Sequence, residues 1–172
     1  VSHMEADAGW IYLIDDETGD LCLSAQNNVK DDCFDGDKRI PSGKPFSDKV
    51  FSSGKPLLVK NSSEDPRVSC RDGRTESMAG VPISSRGNTL GVLGVSNRKA
   101  SYFTSMDIQL LKTVGSQLGV AIENTKLIGQ LQDKMRQIKL INELSGIINS
   151  SLSIGTIFRI MVSEIKKLVE YD

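Results

Sequence analysis

The sequence is poor in the residues on which most catalytic and metal-binding sites depend. Its 172 residues include one histidine, His3, which lies in a Val-Ser-His-Met stretch at 1–4 that is typical of a cloning remnant. Without another imidazole, the chain lacks serine–histidine and cysteine–histidine catalytic pairs, histidine-ligated haem and mixed histidine–cysteine zinc sites. We therefore expect no metal site, and the sequence identifies no cofactor.

Cysteine pairs, excess positive charge and long apolar runs are also lacking. Cys22, Cys33 and Cys70 form no Cys-x-x-Cys pair and are odd in number, as expected of reduced thiols in a cytoplasm. Lys and Arg together number 21 against 22 for Asp and Glu, so no positive excess is available to neutralise a phosphate backbone. No run approaches the ~20 apolar residues of a membrane span. We expect a cytoplasmic protein whose segment here contacts neither nucleic acid nor membrane.

The hydrophobic pattern predicts a globular α+β domain. Hydrophobic residues make up 38% of the chain and charged residues 25%, which is typical of a packed fold. Apolar runs bounded by turn residues predict one β-hairpin within 10–23 and another within 78–95. Between them the pattern predicts a short helix at 45–51, a strand at 57–59, and polar loops at 27–43 and 61–76.

The last third of the sequence has helical periodicity. Thr104 to Asp107 has the Ser/Thr-x-x-acid form of a helix start, and apolar residues then repeat at steps of three and four as far as Ile138. A helix from Ser105 to about residue 148 would exceed ~60 Å, roughly twice the diameter of a small domain. Its far end therefore needs a partner. A further amphipathic helix is predicted at about 154–171.

Several short stretches occur in an informative order: 6–15 (ADAGWIYLID), 40–43 (IPSG), 53–59 (SGKPLLV), 78–83 (MAGVPI), 90–95 (LGVLGV) and a closing helix at 103–124. Their order and spacing resemble those of the GAF domain of bacterial signalling proteins. The resemblance implies an α+β fold with a six-stranded antiparallel sheet. Helices, including a long C-terminal one, would cover one face, and shorter elements would enclose a small-molecule pocket on the other.

The resemblance also implies a domain division. Residues 5–130 resemble a GAF domain without its N-terminal helix, 131–150 a signalling or coiled-coil helix, and 151–172 the first helix of a second, truncated GAF domain. The implied assembly is a homodimer through the long helix. In it, the terminal helix docks on a partner's sheet or joins a four-helix bundle. Such arrays typically precede a histidine kinase, nucleotide cyclase or phosphodiesterase, so the parent would belong to a two-component or related system.

The function implied by the resemblance is that of a non-catalytic sensor. Members of the family bind cyclic nucleotides, bilins, haem, amino-acid-like effectors or only a partner protein. Filling of the pocket would alter the packing of the strands against the long helix. The predicted ligand-lining residues come from the two loops and the short helix: Phe34, Phe46, Val50, Phe51, Cys70, Arg74 and Ser77.

Two other functions remain open. One is a dimerisation relay with a vestigial pocket. The other is a thiol enzyme similar to the free-methionine sulfoxide reductases, with Cys70 as nucleophile and Cys33 as the resolving thiol. Nearby arginines would then lower the pKa of the Cys70 thiol: Arg67, Arg71 and Arg74.

One segment of the sequence partly resembles the cyclic-nucleotide motif of the family. Asn97, Arg98, Phe103 and Asp107 resemble that motif, but Arg98 stands where the motif has lysine and Ile108 where it has glutamate. An ion pair between Arg98 and Asp107 would preserve the charge arrangement. The same segment also fits an ordinary strand end followed by a helix cap, which is the commoner use of such residues.

Overall fold

The computed structural model describes residues 4–29, 39–40, 45–68, 75–151 and 154–169. Its contacts divide the chain into two compact units, Val1–Asn124 and Thr125–Asp172, called the N-terminal and C-terminal units below. Among the described residues, no helix has the length and apolarity that a bilayer crossing requires.

The N-terminal unit is built on one antiparallel sheet. Its strands are β1 (Ala8–Ile14), β2 (Leu21–Asn27), β3 (Arg39–Ile40), β4 (Leu57–Val59), β5 (Ser77–Ser85) and β6 (Asn88–Asn97), in the order β3-β2-β1-β6-β5-β4. The predicted antiparallel α+β architecture is confirmed, although β3 has only two residues. Both predicted hairpins form, one from β1 and β2 and the other from β5 and β6.

The turn between β5 and β6 shows how local chemistry sets the register. Arg86 and Gly87 are its two central residues, with φ of 49° and 85°. Positive φ at both positions is what a two-residue type I′ turn requires, and it matches the twist of the flanking strands. Gly87 suits this backbone, whereas Arg86 is an unusual residue there.

Each face of the sheet carries its own hydrophobic cluster. Helix α1 (Pro45–Ser53) contributes Phe46 and Val50 to the first cluster, which we call the α1 side. Helix α2 (Ser105–Ser151) contributes Leu111 to the second, the α2 side. Trp10 and Tyr12 lie on the α1 side because alternate residues of a strand point to the same face.

Helix α2 begins at the predicted position and approaches β5 closely. The Asp107 carboxylate accepts hydrogen bonds from the backbone N–H and the hydroxyl of Thr104, at 2.8 and 2.7 Å, which caps the helix start. A Cβ at Gly115 would lie 2.6 Å from the carbonyl oxygen of Pro82, and one at Gly119 would lie 2.2 Å from that of Ser84. These two glycines therefore allow the helix to pack directly on the strand.

The C-terminal unit holds the remainder of α2 and helix α3 (Ile154–Val169). Both predicted helices are confirmed, and α2 extends to Ser151, slightly beyond the predicted end. The large apolar side chains described in this unit are all exposed, from Leu127 at 39% to Ile154 at 80%. Division of this region into a signalling helix and the start of a second domain stays a prediction.

Candidate functional site

The α1 side of the sheet has an aromatic floor, defined here as Trp10, Tyr12, Phe46, Val50 and Val92. All five side chains are buried, with Trp10 the most accessible at 9%. The rings of Trp10 and Phe46 meet edge to face, with centroids 6.3 Å apart and an interplanar angle of 65°. Edge-to-face contact is a favourable geometry for an aromatic pair, so it stabilises the relative position of the two rings.

Two glycines leave the space that these rings occupy. A Cβ at Gly80 would lie 2.7 Å from Cε1 of Phe46, and a Cβ at Gly94 would lie 2.2 Å from Cε2 of Trp10. Both distances are shorter than van der Waals contact, so each ring occupies the space that a side chain would fill. The two aromatic residues therefore reach the plane of the sheet only because β5 and β6 carry glycine there.

The predicted lining residues from α1 belong to or border this floor. Phe46 and Val50 are part of it, and half-buried Phe51 packs at its edge. Ser77 has a different environment, since its side chain is fully buried and its hydroxyl donates to the carbonyl oxygen of Lys99 at 2.8 Å. The hydroxyl proton of Ser77 is therefore already used in a hydrogen bond to the main chain. The remaining predicted lining residues, Phe34, Cys70 and Arg74, lie outside the described residues, as does Cys33.

Two further residues link the floor to the segments that contain those remaining positions. Val68 is buried in the α1-side cluster at 5% exposure, two residues before Cys70. Val29 packs against the same cluster, five residues before Phe34. Each predicted loop therefore contains a residue that packs in the α1-side cluster.

The contribution of β1 and β6 to the floor was not predicted from the sequence. Trp10 and Tyr12 occupy alternate positions of β1, and Val92 pairs with Tyr12 across the sheet. The period-two alternation of β1 was the available signal. At two glycines of β6 the nearest atoms belong to strand β1. Gly94 accommodates Trp10, while a Cβ at Gly91 would lie 2.1 Å from the carbonyl oxygen of Tyr12.

The cyclic-nucleotide pattern forms no ion pair of the expected kind. The backbone N–H of Arg98 donates to Asp7 Oδ2 at 2.9 Å, and Arg98 Nε lies 3.9 Å from Asp7 Oδ1. Asp107 instead caps α2 through Thr104. The expected pairing of Arg98 with Asp107 is therefore wrong, because each residue is bound by a nearer partner.

One of the arginines expected to activate Cys70 is also paired elsewhere. The Arg67 guanidinium donates two hydrogen bonds to the Asp65 carboxylate, one of them from Nε at 2.8 Å. The hydrogen bonds from Arg67 hold the pKa of Asp65 below its usual value, against the opposing effect of burial. Asp65 thereby compensates the Arg67 charge locally. In the described part of the chain, no group of three His, Cys, Asp or Glu residues is arranged to hold a metal ion.

The other face of the sheet is tied to α2 by a polar contact. The Ser85 hydroxyl donates to Glu123 Oε2 at 2.5 Å, and Arg86 Nε lies 3.5 Å from the same oxygen. Both partners of Glu123 belong to the β5–β6 hairpin. The hairpin and α2 are therefore connected by hydrogen bonding as well as by the glycine contacts.

Comparisons with known proteins agree with the fold of the N-terminal unit. The family model described as the GAF domain matches residues 1–123, and the chain belongs to that family. The Nif-specific regulatory protein of Herbaspirillum seropedicae is 28% identical over 150 residues, which cover 80% of this chain and 27% of that protein. The chain thus spans about a quarter of this relative's length.

Solved structures share the fold. The GAF domain of a phosphoenolpyruvate-protein phosphotransferase from Coxiella burnetii aligns with a TM-score of 0.64 and 21% identity, over 73% of this chain and 76% of that one. A type II free methionine-R-sulfoxide reductase from Thermoplasma acidophilum aligns with a TM-score of 0.61 and 17% identity, over 69% and 80%. At these identities the likeness concerns the fold alone, and the fold is shared by regulatory and enzymatic proteins.

Proposed function

We propose that this chain is a non-catalytic sensory module of a bacterial signalling protein. It binds a small effector above the floor on the α1 side and relays the change through a dimeric helix α2 to a downstream output domain. The regulatory role of the Herbaspirillum relative supports a signalling assignment. The aromatic floor supports the binding role, because small-molecule sites are mostly apolar with a few polar groups at the rim.

Strand β5 contacts both the floor and helix α2, and this double contact is the main support for the proposed relay. At Gly80 it lies under the Phe46 ring on the α1 side, and two residues later the Pro82 carbonyl oxygen meets Gly115 of α2. At its end, Ser85 donates a hydrogen bond to Glu123. A ligand that displaces Phe46 would shift a strand that also touches α2 at several points. Because packed interfaces resist continuous deformation, such a shift favours a discrete change in helix packing.

A homodimer is the proposed partner state. The apolar side chains of the C-terminal unit are exposed on both of its helices, and burial of this area would favour association. On the α2 side of the N-terminal unit, Ile11, Leu13 and Leu93 are only half-buried. Exchange of α3 between copies onto this area is one arrangement of the dimer, and a four-helix bundle is the other.

The effector can be sought with the chain's single tryptophan as an internal reporter. Native mass spectrometry of the purified protein tests for a retained small molecule. Titration with cyclic AMP, cyclic GMP and free amino acids, followed by Trp10 fluorescence, tests binding at the floor. We expect a saturable fluorescence change with one compound. Phe51→Ala, at the floor's edge, should weaken it, whereas Phe158→Ala in the C-terminal unit should not.

Two outcomes would favour the alternatives. No retained mass and no fluorescence response, with a dimer present, would favour a dimerisation relay whose pocket is vestigial. Turnover of free methionine sulfoxide that is lost in Cys70→Ser would favour the thiol enzyme, whose fold this chain shares. The pairing of Arg67 with Asp65 counts against thiol activation by that arginine.

A further inference from the structure

We infer that Asn142 fixes α2 in a parallel, in-register pair with α2 of a second copy. The contact would be a seam, defined as Ile128, Leu131, Met135, Ile138 and Asn142. This inference rests on the proposed dimeric relay and specifies its geometry. The seam lies entirely within the C-terminal unit.

The spacing of the seam is that of a two-stranded coiled coil. Its five residues follow one another at steps of three, four, three and four, which places them on one face of α2. The four apolar members are exposed by 56%, 63%, 70% and 58% in chain order. An apolar repeat of this period is complementary to a copy of itself, because each residue fits between residues of the same series on the other helix.

The seam is one part of a larger exposed apolar surface. Its four apolar residues together expose the equivalent of about two and a half complete side chains, and all large apolar side chains described in the unit expose roughly eight. A standard interface buries ~800 Å² per partner, so a stable dimer would also bury apolar residues that flank the seam. The apolar side chains of the seam are 56–70% exposed, so the described residues of the chain leave them largely uncovered. A second copy supplies the required surface.

Asn142 favours one orientation and one register of the two paired helices. It borders a shallow surface groove together with Met135, Ile138, Lys139 and Glu143. In a parallel, in-register pair the two Asn142 amides face each other, and the donor of one meets the acceptor of the other. A shifted or antiparallel pair would place the amide against apolar seam residues and leave it unsatisfied, at a cost that disfavours those pairings.

The flanking charges make the orientation testable. In a parallel pair, Lys134 of one helix lies beside Lys139 of the other, because these positions border the seam five residues apart. Lys139 Nζ is 3.9 Å from Glu143 Oε1 on its own helix, which reduces the repulsion. Lys134→Glu would replace two like-charge contacts across the dimer with two attractive ones.

Disulfide trapping of the full chain tests the register. Ser145→Cys, three residues beyond Asn142 on the same face of α2, leaves the amide in place and should form an interchain disulfide in most of the protein under mild oxidation. Gln137→Cys, on the same helix but outside the seam, should remain at the wild-type background, which measures any linkage through the three native cysteines. Lys134→Glu should tighten the dimer about five-fold in sedimentation equilibrium, an effect expected of two exposed ion pairs.

The outcomes distinguish a wrong register or orientation from the absence of a dimer. Wild-type protein that sediments as a dimer, with Ser145→Cys at background, would overturn the register while leaving the dimeric relay intact. Lack of tightening by Lys134→Glu in a dimer would overturn the parallel orientation. Monomeric wild-type protein at high micromolar concentration would overturn both the seam and the proposed dimer.

Discussion

The two units of this chain differ in the burial of their apolar side chains. In the N-terminal unit, Val50, Val81 and Val92 are fully buried between the sheet and its flanking helices. In the C-terminal unit, residues of the same kind, such as Met135 and Phe158, are about 70% exposed. The N-terminal unit therefore contains its own hydrophobic core, whereas the described apolar side chains of the C-terminal unit would need a partner surface to form one.

This difference separates structure that is self-sufficient from structure that depends on association. Helices of the length of α3, 16 residues, are marginal in isolation, and most helix stability in proteins comes from packing an apolar face. The N-terminal unit should thus fold at any concentration. The helices of the C-terminal unit should gain stability as the chain associates.

The strongest test of the comparison removes the same side chain from each unit. Phe46→Ala should lower the free energy of unfolding by about 3–5 kcal/mol, because it empties a buried site between Trp10 and Gly80. Phe158→Ala, at a side chain 67% exposed, should change it by less than ~0.5 kcal/mol. Urea unfolding followed by circular dichroism, at a concentration where the chain is monomeric, provides both values. Equal losses would contradict the comparison.

A second test uses two glycines of α2 with different surroundings. Gly119→Ala should destabilise the protein by about 1–3 kcal/mol, since the new Cβ would collide with the Ser84 carbonyl oxygen. Gly129→Ala meets nothing within 4 Å and should stabilise the helix by about 0.5–1 kcal/mol through its higher helix propensity. Thermal denaturation of the pair gives the two signs. A gain at Gly119 would show that the helix does not pack closely on β5.

The smallest expected effect concerns ion pairs. Asp65→Asn should cost up to about 1 kcal/mol at pH 7, whereas Asp133→Asn, whose pair with Arg136 is about three-quarters exposed, should cost close to nothing. Pairing lowers the pKa of Asp65 in the folded state. Its contribution is therefore full above the unfolded-state pKa of ~3.9 and declines as the pH falls through the lower folded-state pKa.

The check is a pH series of unfolding free energies. The difference between wild type and Asp65→Asn should be constant near neutral pH and shrink below about pH 4. A difference that grows as the pH falls would contradict the assigned direction of the pKa shift.

Much of the architecture was accessible from local patterns. Periodicity located both hairpins and α1, and the Thr104–Asp107 box gave the start of α2, because such signals depend only on neighbouring residues. The floor was predicted in part. Phe46 and Val50 were found from their four-residue spacing, but Trp10 was not, since its role depends on a glycine 84 positions later in the chain.

Local sequence was enough for the kinds and order of the elements apart from β3, which lies within the predicted loop 27–43, for the family resemblance and for the apolar period of α2. Each of these is a property of residues close along the chain or of motif spacing. Tertiary structure alone decided that Gly94 lies under Trp10, that Asp7 rather than Asp107 binds Arg98, and that β5 touches both α1 and α2. Such contacts join residues distant in sequence, and they exist only when the sheet has brought both partners within a few ångströms of each other.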